Sequence, residues 1–447
     1  MNYPKLFGTS GIRGDAEKLF TNEFCQKLGI TFCQFLKKYS SNIFIAVAMD
    51  PRPSSQRIKD NLILALRQHF NILDVGVIPT PTLSYFAKYK KLAGGVMITG
   101  SHIQDYLNGM KFFYNGEEIL KSDELEIENI FNKLTDNELI LNPNNTNTVT
   151  QSTEAITIYS EMLKNLAAGQ FSNLTIVIDA GNGTQSQIMP EVLTDLGIKI
   201  IKTNCDINKS LLSRDLESPE AYIDIVNSMK SNSADLGILY DSDGDRSAFI
   251  TSNDQIVPTD ISGSLIAKYQ QEEAFVTPIN SSTVVEKIGK KAIRCRVGSP
   301  PVIEMMKKNG VHFGFESSGG TINGEIHYTR DAGITTIKIL KIIRQTNKSL
   351  LQLMEEFPKY YTVKEKVECP SNLNEQIITK AKEKYRGKKI EDLDGVKIWI
   401  DSDSWILFRP SGNAPEFRVF SEALELEKAQ QLSEEGLSLV RQVINNS

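Results

Sequence analysis

Two adjacent residues able to do chemistry, Ser101 and His102, sit in the stretch GGVMITGSHIQDYLNGMK, residues 94–111. Gly94 to Thr99 are small or β-favouring, as suits a strand buried in a parallel sheet, and Gly100 lets the chain leave that sheet sharply into a polar turn. Ser101 is therefore expected at the carboxyl end of a strand, where open α/β sheets bind ligands. Ordinary turn chemistry would also produce Ser-His-x-x-Asp, so the serine gains its weight from other clusters.

Asp241, Asp243 and Asp245 occupy alternate positions of one loop, a spacing that can converge on one hard cation such as magnesium. An EF-hand is excluded, because Arg246 stands where its glycine belongs and Ser252 where its closing glutamate belongs. An aspartate-capped turn is the plainer alternative, yet three like charges so close call for a counter-charge. Glu316, Ser317, Ser318 and Gly319 follow an apolar strand, and their carboxylate and hydroxyls suit the neighbouring hydroxyls of a sugar, or simply a satisfied turn. Arg409 and Arg418 bracket a turn holding Ser411, Gly412 and Asn413. Guanidinium forks, a hydroxyl and free amides fit a phosphate dianion, while a surface hairpin with solvated arginines is the alternative. Phe7 to Gly14 adds a glycine-rich turn with Arg13 that lacks the Gly-Lys-Ser/Thr ending of an ATP-binding P-loop.

Repeated βα units are expected to position these residues. Apolar strand patterns at residues 43–50, 72–78 and 94–99 alternate with helical spacing at 54–68 and 82–89, and a helix at 122–134 closes the first region. The polar run from Asn142 to Thr150 is the linker candidate. A second region repeats the pattern, with strands at 174–179, 198–203 and 236–240, the last emptying into the aspartate loop. A third does so with strands at 274–279, 293–297 and 311–315, a helix from Ser282 and another at 301–308, and a long helical stretch from Ala332 to Phe357. Thereafter the grammar changes to a hairpin of 396–400 with 405–409, another strand and a closing amphipathic helix, an α+β arrangement. The predicted domains are 1–148, 149–252, 253–357 and 358–447.

The 447 residues allow several domains with cores of their own, and 23% charged residues with a net charge of -5 point to neither nucleic acid nor a membrane surface. Five scattered cysteines without a Cys-x-x-Cys pair indicate no disulfide framework or thiolate zinc site and fit a reducing cytoplasm. No secretory leader or membrane-spanning apolar run is read.

Taken in order, the clusters resemble the α-D-phosphohexomutase family, the phosphoglucomutases, phosphomannomutases and phosphoglucosamine mutases, over the whole chain. The family pattern Thr-Ala-Ser-His-Asn-Pro with a later Asn-Gly-x-Lys is met by Thr99, Ser101, His102, Asn108, Gly109 and Lys111. Asp-Gly-Asp-x-Asp-Arg is met by Asp241, Asp243, Asp245 and Arg246, Gly-Glu-x-Ser-Gly by Glu316, Ser318 and Gly319, and Arg-Pro-Ser-Gly-Thr-Glu-Pro by Arg409 to Gly412 and Pro415. Gly100 stands in place of the family alanine, Ile103 and Gln104 in place of Asn-Pro, Phe315 in place of a glycine, and Asn413 and Ala414 in place of Thr-Glu.

The resemblance implies three related α/β mixed-sheet domains plus a C-terminal α+β domain around a central cleft, with the last domain swinging over the substrate phosphate. It implies that Ser101 carries a phosphoryl group held by Mg2+ on Asp241, Asp243 and Asp245, with Ser101 itself a metal ligand. The serine exchanges this group with a hexose or hexosamine 1- or 6-phosphate through a hexose 1,6-bisphosphate. Lys111 and His102 would handle protons, while Arg13 and Arg246 stabilise the transferring group. A lysine in that role calls for a pKa lowered by nearby positive charge. Glu316, Ser318 and Gly319 would hold the sugar, and Arg409, Ser411, Gly412, Asn413 and Arg418 its phosphate. Archaeal-type stretches such as Val297 to Glu304 favour glucosamine phosphate, in a cytoplasmic monomer or homodimer. The alternatives are a serine-dependent sugar phosphatase and a non-catalytic sugar-phosphate binding protein.

Overall fold

Short β-branched strands that end in glycine or aspartate turns build the sheets that carry the site. The computed structural model describes residues 6–8, 10–171, 173–411 and 415–446. The chain divides into two compact units, Met1–Pro258 with Ser318–Leu351, and Thr259–Ser317 with Gln352–Ser447.

In the first unit, one sheet runs in the order Ile12–Asp15, Leu107–Tyr114, Gly94–Ile98, Phe44–Met49, Asn71–Val77, Val149–Gln151. Its last four strands are parallel, and Leu107–Tyr114 runs antiparallel to both its neighbours, Gly94–Ile98 and Ile12–Asp15. Parallel strands covered on both faces must be apolar throughout, and Gly94–Ile98 is buried at every position. Helices Asn22–Tyr39 and Ser55–Leu66 cover one face through Leu28, Phe32, Phe35, Ile58 and Leu62. The second sheet, in the order Ile256–Val257, Ser247–Thr251, Leu236–Tyr240, Thr175–Asp179, Lys199–Thr203, repeats the device. A buried parallel strand empties into a turn and returns antiparallel. In one sheet that turn carries Ser101, and in the other it carries the three aspartates. The same unit holds the antiparallel hairpin of Thr321–Asn323 with His327–Arg330.

The second unit holds the parallel strands Lys291–Cys295, Ala274–Pro278 and Phe313–Phe315. It also holds an antiparallel sheet, Tyr361–Glu368, Glu416–Ala423, Trp405–Pro410, Val396–Trp399, Lys389–Glu391, backed by helices Asn374–Lys384 and Leu426–Asn445. Phe315, the large residue at a position where a glycine is usual, stacks on Phe275 at 5.7 Å. Gly263 makes the room, since a Cβ there would lie 2.4 Å from the Phe315 ring.

Asn108 to Lys111, to which the sequence pattern assigns no element, lie on the strand Leu107–Tyr114, which pairs antiparallel with Gly94–Ile98. Three sequence expectations need correction. The end of the polar run at 142–150 is not free linker, since Val149–Gln151 adds a parallel edge strand. The segment after Ser282 makes only a 3-10 turn, Thr283–Lys287. The stretch from Ala332 to Phe357 is two helices, Ala332–Thr346 and Leu350–Met354, interrupted where Asn347 turns left-handed at φ 53°.

Candidate active site

Ser101 lies at the carboxyl end of Gly94–Ile98, fully buried, with φ +54°. A serine held in the left-handed region persists only where its surroundings over-determine it. Its N–H donates to Thr99 Oγ1 at 2.8 Å, and its Oγ donates to Asp241 Oδ2 at 3.1 Å. Those partners come from two different sheets of the first unit.

The aspartate loop is fastened from several sides. Thr80, at the start of helix Thr80–Tyr89, donates its hydroxyl to Asp243 Oδ2 at 2.6 Å and its N–H to the Asp243 carbonyl at 2.9 Å. Lys111 Nζ lies 2.6 Å from Asp243 Oδ2 and 2.7 Å from Asp245 Oδ2. Arg330 Nη2 meets Asp245 Oδ2 at 2.7 Å, and Arg246 Nε lies 3.5 Å from Asp241 Oδ2. The Arg330 hairpin is in turn pinned by Asp331, which accepts from the Tyr159 hydroxyl at 2.5 Å and Ile334 N at 2.8 Å, and lies 2.8 Å from His327 Nε2. The counter-charge that the three carboxylates require is thus supplied in part by protein cations.

These neighbours set the protonation states. Burial, then Asp243 and Asp245, push the Asp241 carboxyl up to about 8. Burial opposes ionisation of Asp243 too, but Lys111 and the Thr80 hydroxyl hold it below the usual carboxylate range. Burial, then Arg246, Arg13 and Arg330, push His102 down to about 2, so the imidazole is neutral. Its Nδ1 accepts from Arg246 Nη2 and lies 3.4 Å from Ser101 Oγ. Lys111 departs from the expectation of a lowered pKa: burial acts in that direction, yet Asp243 and Asp245 outweigh it and raise the ammonium above its ordinary value. Lys111 is a charged partner of the two aspartates, not a free base.

The aspartates fit a hard cation. One ligand oxygen from each of Asp241, Asp243 and Asp245 lies within 4.8 Å of the others, and Oδ1 of Asp243 and of Asp245 are buried without a hydrogen-bond partner. Buried carboxylate oxygens with lone pairs left over are what magnesium takes.

Arg52, Thr80 and Arg330 were not singled out by sequence. The first could have been noticed in Asp-Pro-Arg-Pro, directly after a strand; the other two belong to no local pattern. Arg13 stands on Ile12–Asp15, half-buried, and Ser318 is half-buried beside Gly319, whose carbonyl accepts from Ser247 N at 3.1 Å.

In the second unit, Glu316 is buried directly after Phe313–Phe315, and Ser317 Oγ accepts from Asn280 at 3.0 Å. Arg409 and Arg418 are direct cross-strand partners, and Lys366 is paired with Arg418 on its other side. Directly paired residues share a sheet face, so three cations form a row across three strands, which is unfavourable unless anions meet it. Asp394 receives Arg409 Nε at 2.9 Å, and Glu416 receives Arg418 Nη2 at 2.8 Å. Ser411 N donates to the Glu416 carbonyl at 3.0 Å, while Gly412 and Asn413 lie outside the described residues.

Three family models match in sequence order. The phosphoglucomutase/phosphomannomutase alpha/beta/alpha domains I, II and III cover residues 4–138, 157–254 and 258–361. The chain belongs to the phosphoglucomutase/phosphomannomutase family. It is 32% identical to a phosphoglucomutase/phosphomannomutase of Thermococcus kodakarensis, across 98% of this chain and 99% of that one. It is also 32% identical to a phosphoglucosamine mutase of Methanococcus maripaludis, across 98% of each. A Burkholderia thailandensis member of the family shares the fold, with a TM-score of 0.84 at 21% identity over 99% of this chain and 98% of that one. This phosphohexomutase therefore has three α/β/α domains and a C-terminal β-rich domain, and it is an isomerase that moves a phosphoryl group.

Proposed function

We propose that this phosphohexomutase interconverts the 6- and 1-phosphates of glucosamine as its first substrate, and of glucose and mannose more slowly, by way of a phosphoserine at Ser101. The observation that carries the mechanism is the meeting of the left-handed, buried Ser101 with Asp241 at 3.1 Å, inside a ring of carboxylates and cations. The choice of sugar rests on the relatives of the phosphoglucosamine mutase type, and the breadth on Glu316 and Ser318. These would meet the hydroxyls at carbons three and four, which the three sugars share.

In the forward half-reaction a hydroxyl oxygen of the sugar monophosphate attacks phosphorus, the bond from phosphorus to Ser101 Oγ breaks, and a bisphosphate forms. The return half-reaction moves the other phosphoryl group onto Ser101 Oγ. The proton released by the attacking hydroxyl goes to a neighbouring acceptor, and Ser101 Oγ recovers one. Asp241, when ionised, is the acceptor beside Ser101 and Lys111, held charged, is the donor; His102, pushed down to about 2, is too weak a base to take the proton and lies 3.4 Å from Ser101 Oγ as a neutral neighbour. Arg13, Arg246 and Arg330 face the equatorial oxygens of the transferring group with positive charge, which is most of what phosphoryl transfer asks of a protein. Asp241, Asp243 and Asp245 would hold magnesium next to Ser101, and the bound ion supplies neutralisation of phosphoryl charge.

Arg409, Arg418 and Ser411, with Lys366 extending the row, would grip the phosphate that is not reacting. A second phosphate grip favours a mutase over a phosphatase, which has only one phosphate to hold. The cytoplasm is the proposed setting. Among the described residues no helix is long and apolar enough to cross a membrane.

The test is the ratio of kcat/KM for glucosamine, glucose and mannose 6-phosphates on one preparation. Glucosamine phosphate should lead, with the others within a hundredfold, about 2.7 kcal/mol. A larger gap in favour of one sugar would show that carbon two is read, and a lead for glucose or mannose would overturn the choice of substrate.

A further inference from the structure

We propose that Arg52 is the positioning residue of the nucleophile, acting with Asp50 to hold the Ser101 loop in its left-handed conformation; this rests on the phosphoserine reading above. Arg52 is buried, on the turn after Phe44–Met49, and contacts neither the aspartates nor any cation of the site in the bonds described. Its guanidinium uses all five N–H groups. Nε donates to Asp50 Oδ2 at 3.0 Å, Nη1 to the carbonyls of Gln104 at 2.8 Å and Leu107 at 3.3 Å, and Nη2 to those of Ser101 at 2.5 Å and Ile103 at 2.8 Å.

Asp50 holds the other side of the same residue. It accepts from the Thr99 hydroxyl at 2.7 Å, and Thr99 Oγ1 accepts from Ser101 N at 2.8 Å. Both peptide units flanking Ser101 are thus tied to one buried ion pair. Ser55 Oγ donates to Asp50 at 2.8 Å, and Ser54 and Ser55 accept from Asn108 at the far end of the loop at 2.8 and 3.0 Å.

Three features make the clamp specific to this loop. Proline would stiffen the turn if it stood at position 104, but Gln104 stands there, so rigidity has to come from outside the segment. Gly100 gives the guanidinium room: a Cβ at that position would lie 2.8 Å from both Arg52 Cζ and Nε. Finally, a buried ion pair is a poor way to gain stability but a good way to enforce one conformation, here one that a serine does not adopt unaided.

Lysine cannot reproduce the arrangement, since one ammonium with three donors cannot reach a carboxylate and four carbonyls in a planar fork. Arg52→Lys therefore keeps the buried charge and loosens the loop. Arg57→Lys is the control, because Arg57 donates to the Phe20 and Ala16 carbonyls at 2.8 and 2.7 Å and to Glu17 at 2.9 Å, and, among the described residues, to no group between Thr99 and Leu107. The measurement is single-turnover transfer of phosphate from the phosphorylated full-length enzyme to glucosamine 6-phosphate, together with KM, the melting temperature and the phosphorus NMR signal of the phosphoserine.

Arg52→Lys should slow transfer at least about tenfold, with KM changed less than about twofold and a shifted or broadened phosphoserine signal, as expected when the reacting atom loses its orientation but the substrate grip stays. Arg57→Lys should transfer at the parent rate even where it melts as early. Transfer by Arg52→Lys within about twofold of the parent, or equal slowing in both variants, would overturn the positioning role. Absence of phosphate from Ser101 in the parent enzyme would overturn the phosphoserine reading itself, and is seen before any variant is made.

Discussion

Lys111 makes plain how far a residue's task depends on its neighbours. The lysine lies between Asp243 and Asp245 and is held charged, so it partly offsets the same carboxylates that would hold magnesium. Asp243→Asn removes a ligand charge and one partner of Lys111 together. Magnesium affinity, read by calorimetric titration, should fall roughly tenfold or more. An unchanged affinity would remove Asp243 from the metal set. At this scale the sequence was readable where chemistry is local. Ser101 with His102 and the alternating aspartates declare themselves within a few positions. Arg52, Thr80 and Arg330 did not, because each reaches its partner from far along the chain, Thr80 from 163 residues away and Arg330 from 85. No spacing rule connects them.

At the scale of elements, the parallel strands were legible because full burial demands continuous apolar runs. The antiparallel return strands were not. Leu107–Tyr114 carries Asn108 and Lys111 inward, both buried and both satisfied, so polar residues there mimic a turn. The cation row depends likewise on register, which puts Arg409, Arg418 and Lys366 side by side although each lies on a different strand. Arg409→Ala should raise KM for the monophosphate by about thirtyfold to a hundredfold, the loss of a charge-assisted contact of ~2 to 3 kcal/mol, while Ser101 is still phosphorylated by a bisphosphate. An unchanged KM would move the grip elsewhere. Phe315 makes a second, purely structural case. Gly263 lies on helix Thr259–Tyr269, so Gly263→Ala favours that helix by about 1 kcal/mol, yet should destabilise the protein by about 1 to 3 kcal/mol, because the added methyl meets the Phe315 ring. A higher melting temperature in that variant would contradict the packing.

On the scale of the whole molecule, the four-part grammar of the sequence matches the three family domains and the β-rich C-terminal one. Less visible was how the second unit is joined. Lys397, fully buried, donates to the Ile279 and Ser281 carbonyls at 3.0 and 3.4 Å and sits 4.0 Å from the Trp405 ring, whose indole N–H donates to Glu422 at 2.9 Å. Burial, then Arg294, hold its ammonium far below the ordinary lysine range. The folded state therefore binds fewer protons than the unfolded chain, whose lysine titrates near its ordinary value of about 10.4. That cost is full below the folded pKa and fades as pH rises toward the unfolded one. Relative to Lys397→Met, the parent should gain melting temperature as the pH rises toward the ordinary lysine pKa of about 10.4. A difference that stays flat or falls would mean the ammonium is not depressed.

The central claim is that Ser101 carries the phosphoryl group between the two ends of the sugar, and mass analysis of the labelled enzyme tests it most directly. Enzyme incubated with labelled glucose 1,6-bisphosphate should show stoichiometric phosphate on the peptide containing Ser101, lose it to unlabelled glucosamine 6-phosphate within a turnover, and take up none as Ser101→Ala. Label on another residue, or label on Ser101 that the sugar phosphate cannot remove while the enzyme turns over, would contradict the account.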